Sequence, residues 1–141
     1  MVNEPLGLPF TIRNLPFTIQ KEENVAKGDN LQERLTEFAV RIIRLCDAMP
    51  KSVTGKHLSG QLVRSGTSPA FNYGEARAAE SKRDFVHKMR VVHKELNESN
   101  INLQIILRSQ LLPEEKLISI MDECDQLCRI VNASIQTALK R

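Results

Sequence analysis

At 141 residues the chain is the size of one domain with a single sizeable core. It holds no Trp, one Tyr and five Phe, so Leu and Ile must fill most of the interior, which suits packed helices better than a β-sandwich. A formal net charge of +3 permits an anionic partner without demanding one, and falls short of the lopsided charge of a dedicated nucleic-acid module.

Residues 1–29 differ in composition from the rest. They carry three of the six prolines and an internal echo, "LPFTIRN" at Leu8–Asn14 followed by "LPFTIQK" at Leu15–Lys21. Phe, Thr and Ile favour extended backbone, and proline forbids a helix interior. Two copies are too few for a solenoid. The segment reads either as a flexible tail or as an extended arm laid on a neighbouring surface that shelters Phe10, Ile12, Phe17 and Ile19. The chain thus divides into an N-terminal arm, 1–29, and a helical body, 30–141. "KGDN" at Lys27–Asn30 reads as a linker with Asn30 as helix N-cap and Glu33 three residues on, a capping-box pattern.

A first helix is predicted from Leu31 to about Met49, because Leu31, Leu35, Phe38, Ile42, Leu45 and Met49 recur on one face. Pro50 ends it. A second helix begins near Thr54 with Leu58, Leu62, Ser65, Pro69, Tyr73 and Ala76 along one stripe. Gly66 and Pro69 are poor helix-interior residues, costing roughly 1 and 3 kcal/mol against Ala. Either one helix kinks at Pro69, or it breaks, with Ser68 as a new N-cap. A third helix opens on the capping pair Ser81 and Asp84 and carries Phe85, Met89, Val92, Leu96, Ser99, Leu103 and Ile106. After a short loop and Pro113, a fourth carries Leu117, Met121, Cys124, Cys128, Val131, Ile135 and Ala138. Four amphipathic helices with short connections predict an all-α, antiparallel up-down-up-down four-helix bundle with an extended N-terminal arm.

No catalytic constellation stands out. Di-metal bundles need Glu-x-x-His motifs on two helices, and the chain offers one near-miss, Asp84 to His87. Cys46, Cys124 and Cys128 fall at apolar helical positions and read as core thiols. His57, His87 and His93 lie at or near outward positions. "GTSPAFNYG" has neither phosphate-loop nor dinucleotide spacing. No metal, cofactor or enzymatic activity is expected. Nothing approaches the roughly 20 apolar residues of a membrane span, and the N-terminus lacks a secretory pattern, so a reducing cytoplasm is the expected compartment.

Arg83, His87, Arg90 and Lys94 follow the spacing i, i+4, i+7, i+11, one line opposite the apolar seam, and Arg77 and Lys82 extend it. Such a line either tracks phosphates or is a solvated charged face. Base stacking is not expected, because no aromatics interleave. The line continues into Ile101 and Ile105, and Val40 and Ile43 fall off the core stripe of the first helix. Both features point to packing against another subunit. Gln61, Arg64, Ser68, Asn72 and Glu75 form a polar line on the second helix. It reads either as a wet face or as a hydrogen-bond network at a helix or subunit contact.

"QLVRSGTSPAFNYGEARAAESKRDFVHKM" and "KELNES" resemble the signature of the bacterial four-helix-bundle family of 23S ribosomal RNA intervening-sequence proteins, related in form to the accessory variability protein of diversity-generating retroelements. The resemblance rests on Gln61–Ser68, on Asn72, Glu75 and Ala76, on Ser81, Lys82, Asp84 and Phe85, and on Lys94 with Glu95. "FAVRIIRLCDAMPK" resembles the family's first helix. The match covers about residues 30–140. Pro69 departs from it, where relatives usually carry an aliphatic residue. The resemblance implies a non-enzymatic homo-oligomer, a ring-shaped pentamer, acting as a binding or accessory factor. Its expected partners are RNA or DNA and a protein such as a reverse transcriptase. Arg77, Lys82, Arg83, His87, Arg90 and Lys94 are then the expected nucleic-acid contacts. Arg64, Asn72, Glu75, Ile101 and Ile105 are the expected oligomer contacts. A structural or protein-interaction module without nucleic-acid binding is the alternative.

Overall fold

The computed structural model describes the backbone of residues 17–141 and the side chains from Lys27 onward. Four helices account for nearly all of it: α1 (Phe17–Asp47), α2 (Val53–Arg77), α3 (Lys82–Arg108) and α4 (Ile118–Leu139). A single turn of 3-10 helix, Glu114–Lys116, precedes α4. Short turns reverse the chain between successive helices. α1 therefore packs on α2, α2 on α3 and α3 on α4, while α1 and α4 meet more sparingly. This is the expected all-α bundle.

The apolar stripes converge as their spacing predicts. Leu31, Leu35, Phe38, Ile42, Leu45 and Met49 of the first stripe are all buried, as are Leu58, Leu62, Tyr73 and Ala76 of α2. Each large aliphatic removed from water contributes roughly 1.5–3 kcal/mol, so the four stripes together drive the assembly. One detail of α3 differs from expectation. Val86, not Phe85, is buried, and Phe85 packs half-buried at the edge of the core because it lies in the first turn of the helix.

The start of α1 is a correction. Residues 17–29, expected in an extended arm, are helical, and α1 passes through Lys27–Asn30 without a boundary, so Asn30 is no N-cap. The good helix formers of "QKEENVAK", Gln20–Lys27, outweigh the β preference of Phe17–Ile19, and one glycine, Gly28, costs a helix only about 1 kcal/mol. The first copy of the LPFTI echo, with Phe10 and Ile12, lies outside the described residues, as do the side chains of Phe17 and Ile19.

α2 is one uninterrupted helix with Pro69 inside it, which excludes a new start at Ser68. Pro69 has no N–H for the carbonyl one turn back, at Ser65. Side chains bond back to the helix on either side of it: Thr67 Oγ1 donates to the Val63 carbonyl at 2.7 Å, and Asn72 Nδ2 to the Ser68 carbonyl at 3.0 Å. α1 secures the same stretch through Gln32 Nε2, which donates to the Ala70 carbonyl at 3.0 Å.

The caps follow the sequence elsewhere. Ser52 Oγ accepts from the Gly55 N–H at 3.1 Å, and Ser81 Oγ from the Asp84 N–H at 3.0 Å. α3 ends in a Schellman turn. The Gln110 N–H donates to the Leu107 carbonyl and that of Leu111 to Ile106, with Gln110 left-handed at φ 57°.

Candidate functional site

Two surfaces of α3 carry the residues that the sequence singles out. The outward one holds the basic line. Lys82, Arg83, His87, Arg90 and Lys94 are all exposed. Helical spacing aligns Arg83, His87, Arg90 and Lys94, and Lys82 flanks them in the first turn. No carboxylate among the described residues pairs with any of the four Lys and Arg side chains. Arg77 stands apart. It lies at the end of α2 and is engaged by α1, with Nη2 2.6 Å from Asp29 Oδ1 and its guanidinium against Gly28. The structure thus brings four of the six expected contacts into one line, places Lys82 beside it and holds Arg77 in an ion pair.

The second surface faces α2 and is polar where it is buried. Arg64 reaches across from α2 to Glu95 at 3.3 Å and Glu98 at 3.0 Å. Its hydrogen bond to Glu98, then the charges of both carboxylates, raises the guanidinium above its ordinary pKa. Ser99 Oγ donates to Ser65 Oγ at 2.9 Å, both groups buried. Further down, Lys88 Nζ pairs with Glu75 at 2.9 Å, and that hydrogen bond raises the lysine's pKa. Asn72 Nδ2 turns back to Ser68 Oγ at 2.8 Å on its own helix. The polar line of α2 is therefore largely engaged within the chain. Arg64 and Glu75, expected at a subunit contact, bond to α3 here.

Ile101 and Ile105 are the expected contact residues that remain open, 61% and 46% exposed. They continue the basic line toward the C-terminal end of α3. Ile43 is likewise exposed at 44%, as its position off the core stripe predicts. Sequence reasoning missed Phe71, exposed at 75% on α2; its offset from the stripe of Leu62, Pro69 and Tyr73 was the available signal. It also missed Asn102 and the burial of Glu95, which entered the sequence reading only through the family signature.

The thiols are mostly interior. Cys46 and Cys124 are buried, and Cys128 is half-buried rather than fully in the core. Cys124 donates to the Leu96 carbonyl at 3.3 Å, and Cys128 to Asn97 Oδ1 at 3.7 Å. The hydrogen bond between the two thiols raises the pKa of Cys124, with burial adding to it, and lowers that of Cys128. Among the described residues no group of three or more His, Cys, Asp or Glu side chains is disposed to hold a metal ion. No described helix is long and apolar enough to cross a membrane.

Comparison with known proteins agrees with the bundle and its signature. No curated protein matches the chain. A crystal structure of a protein of unknown function from the S23 ribosomal protein family of Bacteroides thetaiotaomicron superposes with a TM-score of 0.73 at 30% identity. The match covers 78% of this chain and 98% of that one. The family profile of the 23S rRNA-intervening sequence protein matches residues 30–133, the stretch that contains the Arg64–Glu95 contact, the buried serine pair and the capped start of α3. The chain belongs to the 23S rRNA-intervening sequence protein family.

Proposed function

We propose that this protein is a non-enzymatic, self-assembling binding factor that contacts RNA or DNA through the outward face of α3. The carrying observation is the exposed line of Arg83, His87, Arg90 and Lys94, whose three permanent cations have no carboxylate partner among the described residues. A cation already paired must give up its partner to bind a phosphate, whereas these need only release water and anions. Lys82 adds a fourth permanent cation at the edge, and Arg77 contributes only if it leaves Asp29. The test is binding of fluorescent single-stranded and duplex RNA and DNA across a salt series. Charge reversal at Arg83 and Arg90 should abolish binding at moderate salt and flatten the dependence of log K on log salt by about 2 units. Unchanged affinity in that double variant overturns the proposal.

A second reading is favoured by Ile101 and Ile105, which place two large aliphatics on the same exposed line. Here the face is a protein contact, either between subunits of the pentamer that the family resemblance implies or with a protein partner such as a reverse transcriptase. Ile105→Asp should then lower the mass in solution as measured by light scattering. An unchanged mass sinks Ile105 as an assembly contact.

A further inference from the structure

The contact between α2 and α3 is not closed along its whole length. Above the Arg64–Glu98 pair it opens into a cleft of about 290 Å³. Its walls are Gln61 and Arg64 from α2 and Glu98, Ile101, Asn102 and Ile105 from α3. Asn102 is only 6% exposed. Its Nδ2 donates to the Leu58 carbonyl at 3.2 Å, which fixes the orientation of the amide. That leaves Oδ1 buried with no hydrogen-bond partner. A buried acceptor left unmatched costs about 1–3 kcal/mol, so the cleft holds an unmet demand for a donor.

The surroundings specify what kind of donor. Of the lining residues Glu98 and Arg64 offset one another, and Glu95, buried behind them, brings a second carboxylate to the same guanidinium, so the cluster of three carries a net negative charge. Gln61 adds a further side-chain acceptor at the rim. Ile101 and Ile105 supply an apolar wall that is open to solvent. An anion is disfavoured by the carboxylates. A flat base finds no aromatic side chain among these residues to stack on. A group with several N–H donors, a positive charge and an aliphatic stem matches the carboxylate, the amide oxygen and the apolar wall at once, while Arg64 stays paired with Glu98.

We propose that the α2/α3 cleft is a binding site for a primary alkylammonium group, either a free linear diamine or a lysine side chain of another protein. The head donates to Asn102 Oδ1 and is held by the Glu98 carboxylate, while the methylene stem lies against Ile101 and Ile105. The site lies beyond the cationic line, toward the C-terminal end of α3, and includes none of its charged residues, so it does not rest on nucleic-acid binding.

The test is an NMR titration of the isotope-labelled full chain with 1,5-diaminopentane at low salt, observing the Asn102 side-chain amide and the methyl groups of Ile101 and Ile105. The expected result is a saturable shift at all three residues. Glu98→Gln, at a side chain that is 38% exposed, should keep the fold and weaken binding roughly tenfold through loss of a charge-assisted hydrogen bond. The Arg83/Arg90 reversal should leave it intact, so this site and the nucleic-acid face fail or stand separately. A lysine-containing tripeptide and its Nε-acetylated form distinguish the sources. Binding by the lysine peptide but not the acetylated one assigns a protein side chain, and binding by the diamine alone assigns a free amine. Non-saturable shifts, an equal response to 1-pentanol, or undiminished binding by Glu98→Gln overturns the proposal.

Discussion

The contact of α1 with α2 and the contact of α2 with α3 solve the same packing problem by different means. The first is built on close approach. A Cβ on Gly66 would lie 2.7 Å from Cγ2 and 3.0 Å from Cβ of Ile42, and at the turn that joins the two helices one on Gly55 would lie 2.0 Å from the Pro50 carbonyl oxygen. The second is held by Arg64, Glu95, Glu98, Ser65 and Ser99, with a cleft above them. The close approach at Gly66 strands no buried side-chain polar atom among the described residues, and the α1–α2 contact opens near the end of α1, between residues 46–51 and 56–63. A polar contact fixes the register of two helices, yet it leaves space and an unsatisfied amide oxygen. What sets the α2–α3 contact apart is therefore the unmatched amide in its cleft, not the presence of space as such.

The largest effects are expected where backbone approaches backbone. Gly55→Ala should lower stability by about 3 kcal/mol, because the carbonyl it meets cannot rotate away. Gly66→Ala should cost about 1–3 kcal/mol, because the methyl meets the branched carbon of Ile42 as well as its flexible end. Urea unfolding of both variants checks the order. Wild-type midpoints would dissolve the contrast between the two contacts.

The polar contact should be weaker per group and non-additive. Ser99→Ala leaves the buried Ser65 hydroxyl without its donor and should cost about 1 kcal/mol. The Ser65→Ala, Ser99→Ala pair should cost less than the sum of the singles, since neither variant then strands a hydroxyl. A double-mutant cycle measured by urea unfolding reads this directly. Strict additivity would show that the two serines act independently.

A further effect is read by pH. Burial, reinforced by the charge of Asp47, pushes Cys46 up to about 11 from an ordinary 9.0. Burial pushes Tyr73 up to about 12 from 10.0, with Arg77 opposing and Asp29 reinforcing. Both folded-state values are raised, so the neutral forms stabilise the fold fully below the unfolded values. That stabilisation is lost as pH rises through about 11 and 12. Stability should fall between about pH 9 and about pH 12, and Cys46→Ala should remove the earlier part of the fall. A urea midpoint that is flat over this range would contradict the burial of both groups.

How much of this was legible in the sequence varies with the kind of residue. The stripes of α1 and α2 were readable because a helix repeats its faces at a fixed angle, and apolar residues at that angle have one place to go. The Ser52 side-chain cap was not singled out, although Ser81 was, because Asp84 three residues on marks the start of α3 more plainly. Asn30 misled for the complementary reason. A capping residue followed by Glu33 is a local signal, and α1 simply continues through it. For the candidate site, the line Arg83, His87, Arg90 and Lys94 followed from periodicity alone. The burial of Glu95 and Asn102 was invisible because a carboxylate and an amide on a helix look solvent-bound until the facing helix is in place.

The sequence by itself determined the number of helices, their order, the stripe each one buries and the residues that line the outward face of α3. Those depend on spacing within single segments. Only the tertiary structure decided that Pro69 sits inside an unbroken helix, that Arg64 and Glu75 engage α3, and that a cleft with an unmatched amide opens between α2 and α3. Each of these depends on distances between segments remote along the chain, where a fraction of an ångström separates a bonded polar group from an orphaned one.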